Sequence, residues 1–229
     1  MTPEVQPADV RSIRPTHASR ALLLTPRVLF VVMTAVLLAG MVLRVRHGGT
    51  GVRVESVALL AAYLLWLCSE VPITFRQPPQ NTADSRTLLP YATSRLCLLC
   101  AAAFGPSTWS RWSIWLVAPA AVFVFGVVLR RVAIRTLGSR YSHHVVRQSD
   151  RNVVTWGPYR IIRHPAYAGM LTANLGFAVY FLNVLTVPAL VLLIMAVTWR
   201  IRVEERALGD VPAYVEYAAG KPRLLPGMW

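Results

Sequence analysis

The chain has few charged residues, and almost none of its cations is lysine. Only 15% of its 229 residues are charged, compared with about 25% in ordinary soluble domains. Lys221 is the only lysine, so arginine supplies nearly all of the excess behind a formal net charge of +14. The arginines lie between long apolar runs and form no continuous patch, which argues against a nucleic-acid-binding protein. Anionic lipid headgroups are the expected partner of such a chain.

Cysteine and histidine are also scarce, and their placement does not indicate a metal centre. Cys97 and Cys100 form a CxxC motif with leucines between and around them. Because no second ligand pair stands nearby, we interpret them as buried small residues. The adjacent His143 and His144 are expected to point apart on either a helix or a strand. The sequence therefore predicts no metal site.

Long apolar runs dominate the chain. Hydrophobic residues make up 55% of it and the mean hydropathy is +0.48. A membrane-spanning helix needs about 20 mostly apolar residues, and four runs approach this length before the central polar region: 26–43, 54–75, 88–104 and 112–134. Glu70 and Arg95 fall in or near two of these runs. Ionisable residues at membrane depth are functional candidates, and these two could also pair with each other.

The run 165–199 is unusual because it holds no charged residue over 35 positions. A single helix of that length would extend roughly 52 Å, compared with a hydrocarbon core of about 30 Å. We therefore predict a helical hairpin that turns around Asn183 and returns to the same side of the membrane. The fold class predicted is an all-α polytopic bundle of about five or six transmembrane helices, ending in this hairpin and a cytoplasmic cofactor-binding tail.

Arginine is distributed unevenly between the two sides that this topology defines. The side holding both termini and the polar stretch 136–164 carries most of the arginines, so the positive-inside rule places it in the cytoplasm. Three regions follow: a cytoplasmic tail over 1–25, transmembrane helices over 26–135, and a catalytic region over 136–229.

Two polar clusters flank the charge-free run, at 157–169 and 200–206. A hairpin would bring them together at one membrane face. Arg163 and His164 are suited to a carboxylate, because charge-assisted hydrogen bonds are strong, while tyrosine rings attract cations. Taken singly, these residues also fit topology signals, interface anchors or a solvated helix face with ion pairs at helical spacing. Together, the clusters favour a pocket for a zwitterionic, partly apolar cofactor.

The same residues form a recognisable pattern. The run Gly157-x-Tyr159-Arg160-x-x-Arg163-His164-Pro165-x-Tyr167-x-Gly169 resembles the signature of the isoprenylcysteine carboxyl methyltransferase family. The pattern continues in the same order with Asn183, Arg202-x-Glu204-Glu205, Tyr214, Tyr217 and Arg223-Leu224-Leu225-Pro226. The upstream run 136–142 resembles the bacterial branch. The resemblance covers about residues 130–229.

The resemblance implies S-adenosylmethionine held between the last membrane helices and the tail, and the chain has no GxGxxG motif of a soluble dinucleotide-binding domain. The implied cofactor-binding residues are Tyr159, His164, Pro165, Tyr167, Gly169 and Glu204. Arg163 and Glu205 would be catalytic and face the transferred methyl group, with Asn183 and Arg202 binding substrate.

The eukaryotic members of that family act on prenylated C-terminal cysteines, whereas for this chain we expect a lipophilic small-molecule acceptor that enters from the bilayer. Carboxylate O-methylation is favoured because a carboxylate acceptor needs no general base. For a thiol or phenol, Glu205 would be the base. The arginine-rich composition indicates a bacterial source and hence the inner membrane.

Three other functions stay open from the sequence. They are phospholipid N-methylation on a related scaffold, an NADPH-dependent sterol-type membrane reductase, and a non-catalytic membrane protein. Binding of S-adenosylhomocysteine but not NADPH would separate methyl transfer from reduction. Methylated phosphatidylethanolamine would indicate the lipid enzyme.

Overall fold

The architecture is a bundle of α-helices. A computed structural model of the chain describes residues 17–47, 50–74, 82–84, 86–106, 109, 113–138, 145–146 and 153–225. Its helices are α1 (His17–His47), α2 (Thr50–Ser69), α3 (Val71–Thr74), α4 (Leu88–Phe104), α5 (Val117–Leu137), α6 (Pro165–Tyr180), α7 (Thr186–Leu208) and α8 (Pro212–Ala218). Two short strands, β1 (Thr82–Asp84) and β2 (Val145–Val146), pair antiparallel. The predicted all-α fold class is confirmed.

Several helices are suited to lipid. Within the described residues, three stretches are long and apolar enough to cross a membrane, and α4 is a shorter apolar helix. The three are Arg27–Arg46, Ile114–Leu137 and Thr186–Leu208. Many large apolar side chains on these helices are exposed, as expected for surfaces that face acyl chains. These features are those of an integral membrane protein. Helix α1 begins well before the predicted start at residue 26, and Glu70 lies in a turn that separates α2 from α3.

Helices α5 and α6 pack antiparallel with their backbones in close approach. Gly126, Gly169 and Gly176 make this possible. A Cβ added at Gly169 would lie 2.5 Å from the backbone nitrogen of Arg130, and one at Gly176 would lie 2.5 Å from that of Phe123. Small residues at such contacts are the usual way in which membrane helices associate.

The charge-free run folds as the predicted hairpin. Helices α6 and α7 are its arms, and residues 181–185 form the turn, which we call the tip. Asn183 organises the tip, because its Oδ1 accepts from the backbone N–H groups of Leu185 and Thr186. Its Nδ2 donates to Ala101 O over 3.0 Å, which fixes the tip beside the end of α4.

The opposite end of the hairpin, where α6 begins and α7 ends, is called the base. Arg200 near the end of α7 donates to Thr87 at the start of α4. Arg130 near the end of α5 bonds to Glu70 after α2. The described ends of α2, α5 and α7 and the starts of α4 and α6 therefore meet at one face of the bundle. Between base and tip lies an aromatic core of Tyr63, Trp66, Phe123 and Phe177.

Candidate active site

One carboxylate at the base binds three basic side chains. Arg163 Nη1 donates to Glu205 Oε1 over 3.1 Å, and His164 Nε2 lies 3.2 Å from the same oxygen. Arg223 Nε donates to Glu205 Oε2 over 2.7 Å. The two guanidinium groups stabilise the ionised form of the carboxylate. Glu205 is therefore a fixed anion and a weak proton acceptor.

The C-terminal tail holds the segment before α6 in place. The backbone N–H groups of Arg163 and His164 donate to the carbonyls of Pro222 and Arg223, over 2.9 and 3.0 Å. Arg163 Nε also donates to Lys221 O over 2.7 Å. Arg163 is thus fixed at its backbone and at two guanidinium nitrogens. This rigidity suits a side chain that must orient a reacting group.

Helix α6 begins directly after this segment. Pro165 is its first residue, where a missing backbone N–H costs nothing. Tyr167 lies in the first turn of this helix and faces α7, where its hydroxyl donates to Glu204 Oε2 over 2.9 Å. The same hydroxyl accepts from Arg200 Nε over 2.9 Å. Neighbouring carboxylates thus have different partners, since Glu204 bonds to tyrosine and Glu205 to arginines and histidine.

Two tyrosines of α8 line the same region in different ways. Tyr217 donates its hydroxyl to Tyr159 O over 2.8 Å, and burial raises the pKa of Tyr217 to about 12 against the opposing charge of Arg163. The Tyr214 hydroxyl is buried and has no hydrogen-bond partner among the described residues. Burial raises the pKa of Tyr214 too, and the charges of Glu205 and Glu204 raise it further. Both hydroxyls therefore stay protonated, and that of Tyr214 lacks an acceptor.

The predicted site residues fall into two groups. Those brought together at the base are Tyr159, Arg163, His164, Pro165, Tyr167, Glu204 and Glu205. Gly169 is one half-turn further along α6 and its Cα faces the α5 backbone. Arg202 is exposed on α7. Asn183 lies at the tip, roughly 24 Å from the base by the length of α6. His143 and His144 lie outside the described residues.

Sequence reasoning left two participants of the base without a role. Arg223 appeared only as part of the closing pattern, and Arg200 only as one of several helix arginines. The feature of the sequence that could have indicated a role for Arg223 is its position in that pattern. For Arg200 the spacing to Glu204 suggested an ordinary surface pair, whereas the side chain is 3% exposed and reaches two other helices.

Comparison with known proteins addresses the same part of the chain. Residues 119–210 match the model of the isoprenylcysteine carboxyl methyltransferase (ICMT) family. The curated sequences and the fold agree with this match. Together, the comparisons support a relationship between this chain and the isoprenylcysteine carboxyl methyltransferase family.

The family relatives are eukaryotic. Protein-S-isoprenylcysteine O-methyltransferase B of Arabidopsis thaliana is 33% identical over 114 residues, which are 46% of this chain and 56% of that protein. The Tribolium castaneum enzyme is 40% identical over 70 residues, 30% of this chain and 25% of that protein. The chain thus spans from a quarter to just over half of the length of these relatives. The bacterial branch stays a prediction.

A solved structure of the family shares the fold. The eukaryotic intramembrane Ras methyltransferase ICMT aligns over 85% of this chain and 73% of its own, with a TM-score of 0.56 and 22% identity. The alignment extends beyond the family match at 119–210, so the likeness includes N-terminal helices in which the sequence showed no motif.

Proposed function

We propose that the chain is an integral membrane methyltransferase that uses S-adenosylmethionine to methylate a carboxylate on a lipophilic acceptor. The observation that carries the proposal is the meeting of Arg163 and His164 with Glu205, and of Tyr167 with Glu204, at the base of the hairpin. These are the residues that match the family's pattern. The names of the related proteins indicate the reaction class.

The residues at the base suit a zwitterionic cofactor. S-adenosylmethionine carries a carboxylate, an amine and a sulfonium ion, and the base offers guanidinium groups and carboxylates side by side. Within the described part of the chain, the Tyr214 hydroxyl is a buried donor without an acceptor, a condition that costs about 1–3 kcal/mol unless a bound molecule relieves it. His164, Tyr167 and Glu204 are the cofactor-binding residues proposed, with Tyr159, Pro165 and Gly169 shaping the wall.

When bound, the cofactor supplies an activated methyl group on its sulfonium ion. The protein then has to align the acceptor and exclude water. Arg163 is placed to orient an acceptor carboxylate, because it is held rigidly and lies beside the proposed cofactor residues. The negative charge of the carboxylate fades as its oxygen attacks and the ester forms, so the role of Arg163 is to orient the acceptor.

The contacts of Glu205 favour a carboxylate acceptor over a thiol, phenol or amine. The latter three lose a proton during methylation and need a base. Glu205 is bound by Arg163, His164 and Arg223, so it is poorly suited to take that proton. A carboxylate acceptor needs none. We assign Glu205 the role of holding both arginines, in which case it acts on the reaction through Arg163.

The acceptor that the relatives' names suggest is the carboxyl group of a prenylated cysteine. We take this as the first acceptor to test, ahead of the generic lipophilic small molecule predicted from the sequence. Entry of the acceptor from the bilayer, a cytoplasmic base and a bacterial inner membrane are further parts of the proposal. Arg202 remains a predicted substrate contact. Asn183, also predicted to bind substrate, lies at the tip with its side chain bonded to backbone groups there, and we propose that it holds the turn.

The test is methyl transfer by purified protein. The protein is incubated with methyl-labelled S-adenosylmethionine and an N-acylated S-prenylcysteine, the corresponding amide, lipophilic acids, phenols, thiols and phosphatidylethanolamine. We expect base-labile label on the prenylcysteine acid and none on its amide. Label on phosphatidylethanolamine would instead support N-methylation. Folded protein that neither binds the cofactor nor transfers label would contradict the proposal.

A further inference from the structure

A second charged cluster lies inside the bundle, beside the base but separate from Glu205. It comprises Glu70 after α2, Arg95 of α4 and Arg130 of α5, which are 3%, 4% and 1% exposed. Ionisable residues so deep in a membrane protein are costly and are seldom kept without a use. The proposed reaction gives none of them a role.

The cluster is built around Glu70. Arg130 binds it in a fork, with Nε donating to Oε1 and Nη2 to Oε2. Trp66 Nε1 donates to Oε1 over 2.9 Å, and Arg95 Nη1 lies 3.5 Å from Oε2. A planar fork of this kind fixes the orientation of the guanidinium group, because two parallel hydrogen bonds leave it little freedom to turn.

The remaining terminal nitrogen of Arg130 reaches the helix that begins the site. Nη1 donates to Ala166 O over 3.1 Å. Ala166 stands between Pro165 and Tyr167, in the first turn of α6 and two residues after His164. Arg130, which belongs to α5 and is bound to Glu70 after α2, therefore holds the backbone from which the proposed cofactor side chains project.

A second arm of the cluster reaches the next turn of α6. Arg95 Nε donates to the Tyr63 hydroxyl over 2.7 Å, and this hydroxyl donates to Asn174 Oδ1 over 2.8 Å. Asn174 Nδ2 donates in turn to Met170 O over 2.8 Å. The carbonyls of Ala166 and Met170 are four residues apart and so lie on one face of α6. Both arms act on the same face of the same helix.

We propose that Arg130 is a positioning residue, oriented by Glu70, that sets the first turn of α6 and thereby the placement of His164 and Tyr167. The inference rests on the proposed function, since it assigns the cluster an effect on cofactor binding. It gives the N-terminal helices α2 and α4 a part in the site, through contacts to backbone rather than to ligand.

The test replaces Arg130 by lysine. Lysine keeps the positive charge next to Glu70, but a single ammonium group cannot reproduce the fork and also reach Ala166 O. We expect the Kd for S-adenosylhomocysteine, measured by calorimetry well below the melting temperature, to rise at least about threefold. The Tyr63→Phe variant, which only breaks the second arm, should show a smaller rise in the same direction and covers the case in which Arg130→Lys does not fold.

Arg44→Lys is the matched control. Arg44 also donates to backbone carbonyls, those of Ala102 and Gly105, but at the tip end of the bundle. It should change the melting temperature without changing the Kd. Variants at Arg130 and Tyr63 that lower the melting temperature but bind S-adenosylhomocysteine as tightly as the parent would overturn the inference. If the parent protein does not bind it at all, the proposed function fails instead.

Discussion

The base and the tip of the hairpin are built from the same two helices by different chemistry. At the tip, Asn183 and Thr186 bond to backbone groups of their own turn and of α4, so each polar atom serves the chain itself. At the base, charged side chains from the segment before α6, from α7 and from the tail bond to one another. The backbone contacts at the tip fix a turn. The charged side chains at the base, together with the buried Tyr214 hydroxyl, are suited to bind a small molecule.

This difference predicts which end carries activity and which carries stability. Substitutions at the base should change binding and turnover more than the melting temperature. Substitutions at the tip should do the reverse. A substitution at the base that changes mainly the melting temperature, or one at the tip that changes mainly binding and turnover, would contradict this distinction.

The largest effect is expected from Glu205→Gln. Glutamine has nearly the same size, but it cannot hold Arg163 and Arg223 as a carboxylate does, so the guanidinium group that orients the acceptor loses its anchor. We expect kcat/KM to fall at least about 100-fold. The measurement is transfer of labelled methyl groups with the best acceptor found. Turnover within a few-fold of the parent would contradict the role proposed for Glu205.

Gly169→Ala tests the close approach of α5 and α6 beneath the base. The new methyl group would lie 2.5 Å from Arg130 N and 2.7 Å from Gly126 O, so the two helices would have to separate. Such overpacking costs about 1–3 kcal/mol, and we expect a lower melting temperature together with weaker cofactor binding.

Gly209→Ala is the control for that substitution. Its Cβ would find the nearest atoms at 3.4 and 3.5 Å, and its backbone is already helical at φ −63°. The melting temperature should stay the same or rise slightly. If both alanines behave alike, the helices are not in the tight contact that the structure shows.

Thr186→Val addresses the tip. Its side chain is fully buried, and its hydroxyl accepts from Asn183 N over 2.9 Å and donates to Asn183 O over 3.0 Å. Valine has the same shape without these bonds, and the loss should be roughly 1–2 kcal/mol. Denaturation in detergent measures it. We expect the Kd for S-adenosylhomocysteine to be unchanged, and a clear increase would make the tip part of the site.

The smallest effects should separate the two tyrosines of α8. Tyr217→Phe removes a hydrogen bond to Tyr159 O and should cost about 1 kcal/mol. Tyr214→Phe removes a buried hydroxyl that has no partner in the ranges that the structure describes, so the ligand-free form should be as stable as the parent or slightly more stable. Comparison of the two melting temperatures tests this. A larger loss at Tyr214 would mean that its hydroxyl is already bonded.

Much of this arrangement could be predicted from the sequence. A charge-free run too long for one span forces a turn, and Asn183 marked its position. The return of the chain then required the clusters around Arg163 and Glu205 to meet. The sequence also offered Glu70 and Arg95 as a possible pair, and they do lie in contact.

Other features could not be predicted, for physical reasons. Nothing in the sequence separates Arg130, which is 1% exposed, from Arg131 and Arg135, because all three follow an apolar run as a topology signal would. Its role depends on which helices pack together. The pairing of β1 with β2 involves five residues far apart in the chain, too short for a hydrophobic pattern.

Above all, we propose that the base of the hairpin binds the methyl donor. The most direct measurement is calorimetric titration of the purified protein with S-adenosylhomocysteine, repeated with Tyr167→Phe, which removes the hydroxyl between Glu204 and Arg200. We predict binding of about one molecule per chain and clearly weaker binding by the variant. Folded parent protein that releases no heat and shows no thermal stabilisation with this ligand would contradict the claim.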